Sequence, residues 1–451
     1  MSGIAEVLLD LGFKVSGSDK NESARLAHLR RAGATIYVGH RSEQIMGADA
    51  VVISSAVDSS NEEVREAEEN KIPIVPRAEM LGELMRFRKG IAIAGTHGKT
   101  TTTSLISAVL VAAEMDPTFI VGGVVNSVNT NARLGAGEYL VAEADESDAS
   151  FLHLQPQMSV VTNIDEDHME TYSGDFEILK KAYVDFLHNL PFYGLAILCF
   201  DDPVVKELAG QISKPVVSYG FAEGVDFRAT NMIQKNSVSS FDVECNDGEK
   251  VRFSVSMPGK HNVLNALAAV AIGYKLGLPV EAIQKALSSF EGIGRRFQHL
   301  ARITLTKGSV ELVDDYAHHP RELSATLEAA YACWPGQRII VAFQPHRYSR
   351  TRDLFDDFAQ LLAGVDNLIV TEVYPAGEKP IASADGRSLC KAIRKRGKDP
   401  IFVESLSDLG DLLPSVLSDG DVLLTLGAGD IGRFAQSLAG SKLLFARGEN
   451  Q

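Results

Sequence analysis

From Ala94 to Thr103 the sequence runs AGTHGKTTTT. Gly-Lys-Thr after an apolar stretch is the chemistry of a phosphate cradle. Backbone N–H groups of the turn and the positive end of a following helix surround phosphate oxygens, Lys99 reaches the outer phosphates, and Thr100 can ligate Mg2+ through its hydroxyl. The usual spacing puts an earlier glycine at position 93, where this chain has Ile93. Gly95, Thr96, His97, Gly98, Lys99, Thr100 and Thr101 therefore form a shorter loop. A glycine turn with a threonine N-cap is the plainer alternative; it accounts for the threonines but not for Gly-Lys-Thr in succession.

Two further acidic segments follow apolar runs. VAEADESDASF carries Glu143, Asp145, Glu146 and Asp148, and TNIDEDHMETY carries His168. Carboxylates at strand ends beside such a loop suit a hard cation with oxygen ligands; each alone is equally a solvated loop, and a lone His is more often structural. PGKHNVLNALAAVAIG opens an alanine-rich helix with Asn262 and Asn265 three apart, hence on one face. Their amides can read a base edge or cap the helix. QPHRYSRTRD groups His346, Arg347, Arg350 and Arg352, and guanidinium forks grip carboxylates or phosphates bidentately. DDYAHHP adds Asp314, Asp315, Tyr316, His318 and His319; the spacing matches no structural zinc pattern, and an acid/base or substrate-orienting role fits it better. TLGAGDIG has the glycine spacing of a dinucleotide loop at Gly427, Gly429 and Gly432, but no acidic residue at the end of a second strand follows, so no NAD site is expected.

Positioning these groups requires several α/β layers. At 451 residues the chain exceeds one ordinary core, and 45% hydrophobic with 23% charged residues suits a globular enzyme. No apolar run reaches the roughly 18 residues of a membrane span. A formal net charge of -15 disfavours a nucleic-acid surface, since Lys and Arg supply most of that affinity. Cys199, Cys245, Cys333 and Cys390 are widely spaced, so reduced, mostly buried thiols in a cytoplasmic protein are expected. No secretory signal is visible. From Met1 to about Arg88, helical and strand patterns alternate: SGIAEVLLDLG as a helix, FKVSGSD and ADAVVISSAV as strands, PRAEMLGELMRFRKG as a connecting helix. Ile91–Ala94, EYLVAEAD and MSVVTNID then predict a sheet with its polar residues at the strand ends. From about Gly294, ELVDDYAHHP, RIIVAFQP, NLIVTEVYPAG and DVLLTLGAGDIG predict a further α/β domain.

AGTHGKTTTT, EADESDASFLHLQP, GDFE, FLHNLPFYG, GRRF, DDYAHHP, QPHRYSRTRD, EVYPAGE and GAGDIG, in this order, closely resemble the Mur ligases over essentially the whole chain. The family's P-loop has the short form found at Gly95 to Thr100. The resemblance implies an α/β protein of three domains: a Rossmann-like UDP-binding domain over residues 1–88, a central P-loop ATPase domain with a parallel sheet over 89–293, and a Rossmann-like amino-acid-binding domain over 294–451. It implies that ATP phosphorylates the carboxylate of UDP-N-acetylmuramate and that the amine of L-alanine displaces phosphate from the acyl phosphate, in peptidoglycan precursor synthesis. By resemblance, Lys99 holds the β- and γ-phosphates, Thr100, Glu143 and His168 serve Mg2+, and Asn262 and Asn265 approach the nucleotide. Arg296, Asp315 and Tyr316 meet ATP from the third domain; Arg347 and Arg350 hold the alanine carboxylate, with His318 and His346 nearby. Asp19, His40 and Ser55 are candidate contacts to the uridine sugar. Neither nucleic acid nor membrane is an expected partner, and monomer and dimer both stay open.

Two other readings stand beside this one: a recycling ligase that adds a preformed tripeptide, and a non-catalytic nucleotide-binding paralogue. Family members ordinarily begin with a strand and a loop of the type GIGGAGMSGIAE, whereas this chain starts at MSGIAE. The first domain is accordingly expected to be incomplete, through a start codon placed too late or, as the alternative, a truncated protein. Weak binding of the UDP substrate by the 451-residue chain is expected; a KM for UDP-N-acetylmuramate equal to that of a chain carrying the loop would contradict it.

Overall fold

The computed structural model describes residues 1–440 except 55, 126–129, 246, 247, 249 and 307. The first 88 residues contain β1 (Ser16–Asp19), β2 (Thr35–Val38), β3 (Val51–Ile53) and β4 (Ile74–Pro76). β1 pairs with β2 and β3 with β4, both parallel and in separate two-stranded sheets. The helices Ala24–Arg31 and Glu62–Glu69 make the crossovers. The expected βαβ units are present, but with shorter strands than ADAVVISSAV suggests. Helix Ser2–Asp10 ends before Gly12, whose φ of 88° suits a residue without Cβ. It buries Ile4 in one core with Leu140, Ala142 and Leu154. A Cβ on Gly3 would come within 3.0 Å of the Ala132 methyl, so this helix lies directly on the central sheet.

That sheet has ten strands: β5 (Lys89–Ala94), β6 (Thr118–Val125), β7 (Thr130–Arg133), β8 (Tyr139–Glu143), β9 (Met158–Val161), β10 (Leu195–Cys199), β11 (Val216–Gly220), β12 (Phe227–Lys235), β13 (Val238–Cys245) and β14 (Lys250–Val255). Their spatial order is β14-β13-β12-β11-β10-β9-β5-β8-β6-β7. From β11 through β9, β5 and β8 to β6 the pairings are parallel; β7 is antiparallel. β5 starts two residues before the predicted strand, because the Lys89 N–H already bonds the Glu138 carbonyl at 2.7 Å. The connecting helix is correspondingly short, Arg77–Arg86.

Residues 1–232, 240–256 and 262–291 make one compact unit; 233–239, 257–261 and the chain from Gly292 make another. The first two expected domains fall in one unit because Ile4, Leu81 and Met85 join the core under the central sheet.

In the second unit β15 (Gln298–Thr304), β16 (Ser309–Asp315), β17 (Ile339–Phe343), β18 (Asn367–Thr371), β19 (Ile401–Val403) and β20 (Val422–Leu426) form a sheet of order β15-β16-β20-β17-β18-β19. Only β15 runs antiparallel. Alternate residues enter two separate cores: Val313, Val341, Val370 and Leu424 on one face, Leu312, Ile340, Ile369 and Leu423 on the other. Such strands read as unbroken apolar runs because helices cover both faces of a parallel sheet. No described helix is long and apolar enough to cross a membrane.

Candidate active site

In the central sheet β5 lies between β9 and β8, so the three segments singled out in the sequence leave neighbouring strand ends. The loop after β5 is shaped by residues far along the chain. Gly95 has φ 130°, and a Cβ there would overlap the Thr162 hydroxyl; Gly98 has φ 85°, and a Cβ there would come 2.6 Å from Asn265 Oδ1. The N–H of Thr96 bonds the Asn163 carbonyl at 3.1 Å, and that of His97 bonds Asn163 Oδ1 at 2.8 Å. Thr162 and Asn163 donate back to the His97 carbonyl at 2.6 and 2.9 Å. The threonines divide their work. Thr102 donates to Asn265 Oδ1 at 3.2 Å and Thr103 to the Lys99 carbonyl at 2.8 Å, Thr101 is buried, and Thr100 stays partly accessible at the first turn of helix Lys99–Ala112. Asn262 is buried and accepts from the Asn265 amide at 3.3 Å, so both asparagines line the base of the loop.

Charge is concentrated here. Lys99 Nζ donates to both oxygens of Glu146, at 2.8 and 2.7 Å, to the Gly95 carbonyl at 2.7 Å and to the Thr96 carbonyl at 3.3 Å. Burial alone would lower the Lys99 pKa, but the carboxylates of Glu146, Asp145 and Glu143 outweigh it and hold the ammonium charged. Glu143, the last residue of β8, accepts the Gly122 N–H at 2.6 Å. His97 Nε2 lies 3.2 Å from Asp165 Oδ2. His168 has φ 55°, a left-handed conformation costly for a residue with a Cβ, and its ring lies 3.5 Å from Asp167. Sequence reasoning treated Glu146 as one acid among four and overlooked Thr162 and Asn163. The position of TNID at a strand end was the available signal.

In the first 88 residues Asp19 ends β1, its carbonyl accepting the Gly39 N–H at 2.8 Å, and His40 follows the partner strand. The Ser18 hydroxyl bridges His40 Nδ1 at 2.8 Å and Glu63 at 2.7 Å. Asp19 and His40 thus share one edge; Ser55 lies outside the described residues.

In the second unit β20 is flanked by β16 and β17, so DDYAHHP, QPHRYSRTRD and GAGDIG all leave the carboxyl ends of adjacent parallel strands, where open α/β sheets bind ligands. Asp315 is buried and turned inward: it accepts the N–H groups of Phe297 and Ala317, both at 2.7 Å. Burial raises its pKa to about 6. The Arg295 and Arg296 guanidinium carbons lie 5.0 and 5.2 Å from the Tyr316 ring centroid, and Arg296 is 3.9 Å from Glu322. The rings of Tyr316, His318, His346 and Tyr374 form a chain with successive centroids 5.2, 5.9 and 5.5 Å apart; the last pair is stacked. Arg350 is buried, with Nη1 3.5 Å from His346 Nδ1, and Arg347 takes φ 67°. Tyr374, in EVYPAGE, is a neighbour of this cluster that single-residue reading missed.

Burial, then His318, Arg350 and Arg347, depress the His346 pKa to about 3. Its neutral form therefore contributes stability present above the ordinary value near 6.5 and lost as pH falls towards 3. The expected result is that the His346 ring resonances do not titrate between about pH 5 and 8; a midpoint near 6.5 in an NMR titration would contradict it.

The glycines of GAGDIG have their own explanation. A Cβ on Gly429 would overlap Gln344 Oε1, and one on Gly432 would overlap the Arg295 guanidinium. Gln344 ties β17 to this loop through Asp430 at 2.8 Å and the Ile431 N–H at 3.1 Å. The spacing serves close packing against Gln344 at Gly427 and Gly429 and against Arg295 at Gly432.

Comparison with known proteins matches residues 1–89 to the Mur ligase family catalytic domain, 93–273 to the Mur ligase middle domain and 295–429 to the Mur ligase glutamate ligase domain. The chain belongs to the Mur ligase family. This Mur ligase is 57% identical over 441 residues to the UDP-N-acetylmuramate–L-alanine ligase of Halorhodospira halophila (strain DSM 244 / SL1), covering 98% of this chain and 91% of the relative. Its fold matches the crystal structure of a UDP-N-acetylmuramate-alanine ligase from Thermotoga maritima with TM-score 0.83 and 30% identity, over 98% and 96% of the two chains. A murein peptide ligase from Psychrobacter arcticus 273-4 matches with TM-score 0.71 and 25% identity, over 98% and 96%. The Mur ligase therefore has the three-domain α/β architecture of the family.

Proposed function

We propose that this Mur ligase joins L-alanine to the carboxylate of UDP-N-acetylmuramate with consumption of ATP, giving UDP-N-acetylmuramoyl-L-alanine, ADP and phosphate for peptidoglycan synthesis. The observation that carries this reading is the 57% identity, over 98% of the chain, to a ligase named for that reaction. A substrate carboxylate oxygen attacks the γ-phosphorus and ADP leaves; the alanine amine then attacks the acyl carbon, the carbon–oxygen bond to phosphate breaks, and the amine loses a proton. Phosphoryl transfer of this kind is governed by positioning and charge. Lys99 supplies a fixed positive charge toward the β- and γ-phosphates, and the loop Gly95–Thr100 supplies the cradle. Asn262 and Asn265 brace that loop at the nucleotide.

Thr100, Glu143 and His168 fit a divalent metal in donor type: a hydroxyl in the first turn after the cradle, a carboxylate at the end of β8 and an imidazole in the loop that follows β9. Mg2+ held there would offset charge on the phosphates. In the third domain, residues 294–451, Arg347 and Arg350 hold the alanine carboxylate with His318 and His346 beside them; Arg296 and Tyr316 are that domain's candidates for ATP, and Asp315 supports them from within by accepting the Phe297 and Ala317 N–H groups. Residues 1–88 take the UDP substrate through Asp19, His40 and Ser55, and the enzyme acts in the cytoplasm. In the test, phosphate release is followed with each substrate omitted in turn. Release that needs both UDP-N-acetylmuramate and L-alanine is expected; turnover with a preformed tripeptide in place of alanine would assign the chain to recycling, and release with neither would refute ligation.

A further inference from the structure

Lys99 is the cation on which nucleotide binding depends in the reading above, yet the protein's own acceptors already fill its bonding capacity. An ammonium has three N–H donors. Here four acceptors lie within reach: the two Glu146 oxygens at 2.8 and 2.7 Å, the Gly95 carbonyl at 2.7 Å and the Thr96 carbonyl at 3.3 Å. The Lys99 side chain is 15% exposed and that of Glu146 2%, so water cannot stand in readily for a lost partner. Lys99 can turn to a phosphate only by giving up at least one of these bonds.

We infer that Glu146 is a positioning residue whose carboxylate occupies the ammonium of Lys99 in place of the nucleotide phosphates, so that ATP must exchange one anion for another and ADP leaves more readily. The inference rests on the assignment of ATP to this loop.

Three observations favour exchange over a purely structural pair. The first is location: Lys99 immediately follows Gly98, the left-handed residue that turns the loop into its helix, so the pair sits in the cradle itself. The second is that Glu146 is anchored from the other side. The Tyr172 hydroxyl donates to the Glu146 carbonyl at 2.5 Å, and the Ala149 N–H bonds the same carbonyl at 3.0 Å. The carboxylate is therefore held on a fixed backbone, while Lys99 carries a flexible four-carbon stem; the partner able to move is the lysine. The third is the strength of the bond exchanged. A bidentate, charge-assisted contact at low exposure is strong enough to oppose a phosphate ligand yet is replaced by contacts of the same kind when phosphate arrives.

The experiment measures affinity for a non-hydrolysable ATP analogue by calorimetry, on the full chain, for wild type and Glu146→Gln. The amide keeps the shape and one acceptor but removes the competing charge. Affinity is expected to rise roughly three- to tenfold, the net worth of one ordinary hydrogen bond, because the amide still occupies one Lys99 donor. In steady state KM for ATP is expected to fall while kcat falls as well, because ADP release slows. Thermal unfolding supplies a reading that a structural role would not give: Glu146→Gln should melt below wild type without nucleotide and gain more than wild type from a saturating analogue. Glu146→Asp, one methylene shorter, serves if the amide variant does not fold, and is expected to shift affinity in the same direction by less. Equal or weaker analogue binding by the variants would overturn the inference and leave the ATP assignment standing; no analogue binding by wild type would instead remove the ATP assignment.

Discussion

Lys99→Ala is expected to lower kcat/KM for ATP by about 10²- to 10³-fold, the usual cost of losing one charged group that offsets charge in phosphoryl transfer. The size follows from the setting of this cation in the cradle, where Gly95 and Gly98 offer only backbone groups, the Thr96 hydroxyl is engaged with Asp165, and the neighbouring side chains Glu143, Asp145 and Glu146 are acids. The same change strands Glu146, which is almost completely buried. Removing one partner of a buried pair costs about 3–5 kcal/mol, so unfolding must be followed alongside turnover. A coupled assay for ADP, corrected for the folded fraction, checks the prediction; activity within about threefold of wild type would remove Lys99 from phosphoryl transfer.

Asp314→Ala is expected to destabilise the second unit by about 3–5 kcal/mol. Asp314 is fully buried and bonds Arg295 Nε at 2.9 Å and the Thr425 hydroxyl at 2.8 Å. Arg295 in turn bonds the carbonyls of Gly427 and Gly429. Without the carboxylate, that guanidinium is left poorly compensated against three glycines that approach it closely. The shift in a urea midpoint, at unchanged slope, measures the loss. A change below about 1 kcal/mol would mean that water replaces the carboxylate at Arg295.

Much of this arrangement was legible in the sequence, for identifiable reasons. Unbroken apolar runs ending in polar clusters located β5, β8, β9, β16, β17 and β20, because strands covered on both faces need apolar residues at every position. Glycines next to a lysine marked the cradle. What could not be read were relations between distant residues: that Glu146 rather than Asp145 closes on Lys99, that Asn163 bonds the turn, and that Gly432 makes room for Arg295. The strands β6, β7 and β10 to β14 were missed as well. FRATNMIQK in β12 has a weak alternation in which buried positions are confined to its first half, so neither helical nor strand periodicity stands out. Asp315 and Tyr316 were recognisable as strand-end residues, but the inward turn of Asp315 onto Phe297 and Ala317 depends on a loop whose shape no local pattern encodes.

The dependence of the cradle on Asn265 also sets a schedule for its birth. Thr102 and the asparagine that supports it are 163 positions apart. During synthesis the glycine-rich turn emerges long before the helix that fixes its shape, and at about 5–20 residues per second the interval is roughly ten to thirty seconds. Through that interval the nascent chain carries the complete AGTHGKTTTT motif without the side chain that holds it in place. The support that Asn265 gives to Thr102 is therefore added only once the ribosome has passed the alanine-rich helix.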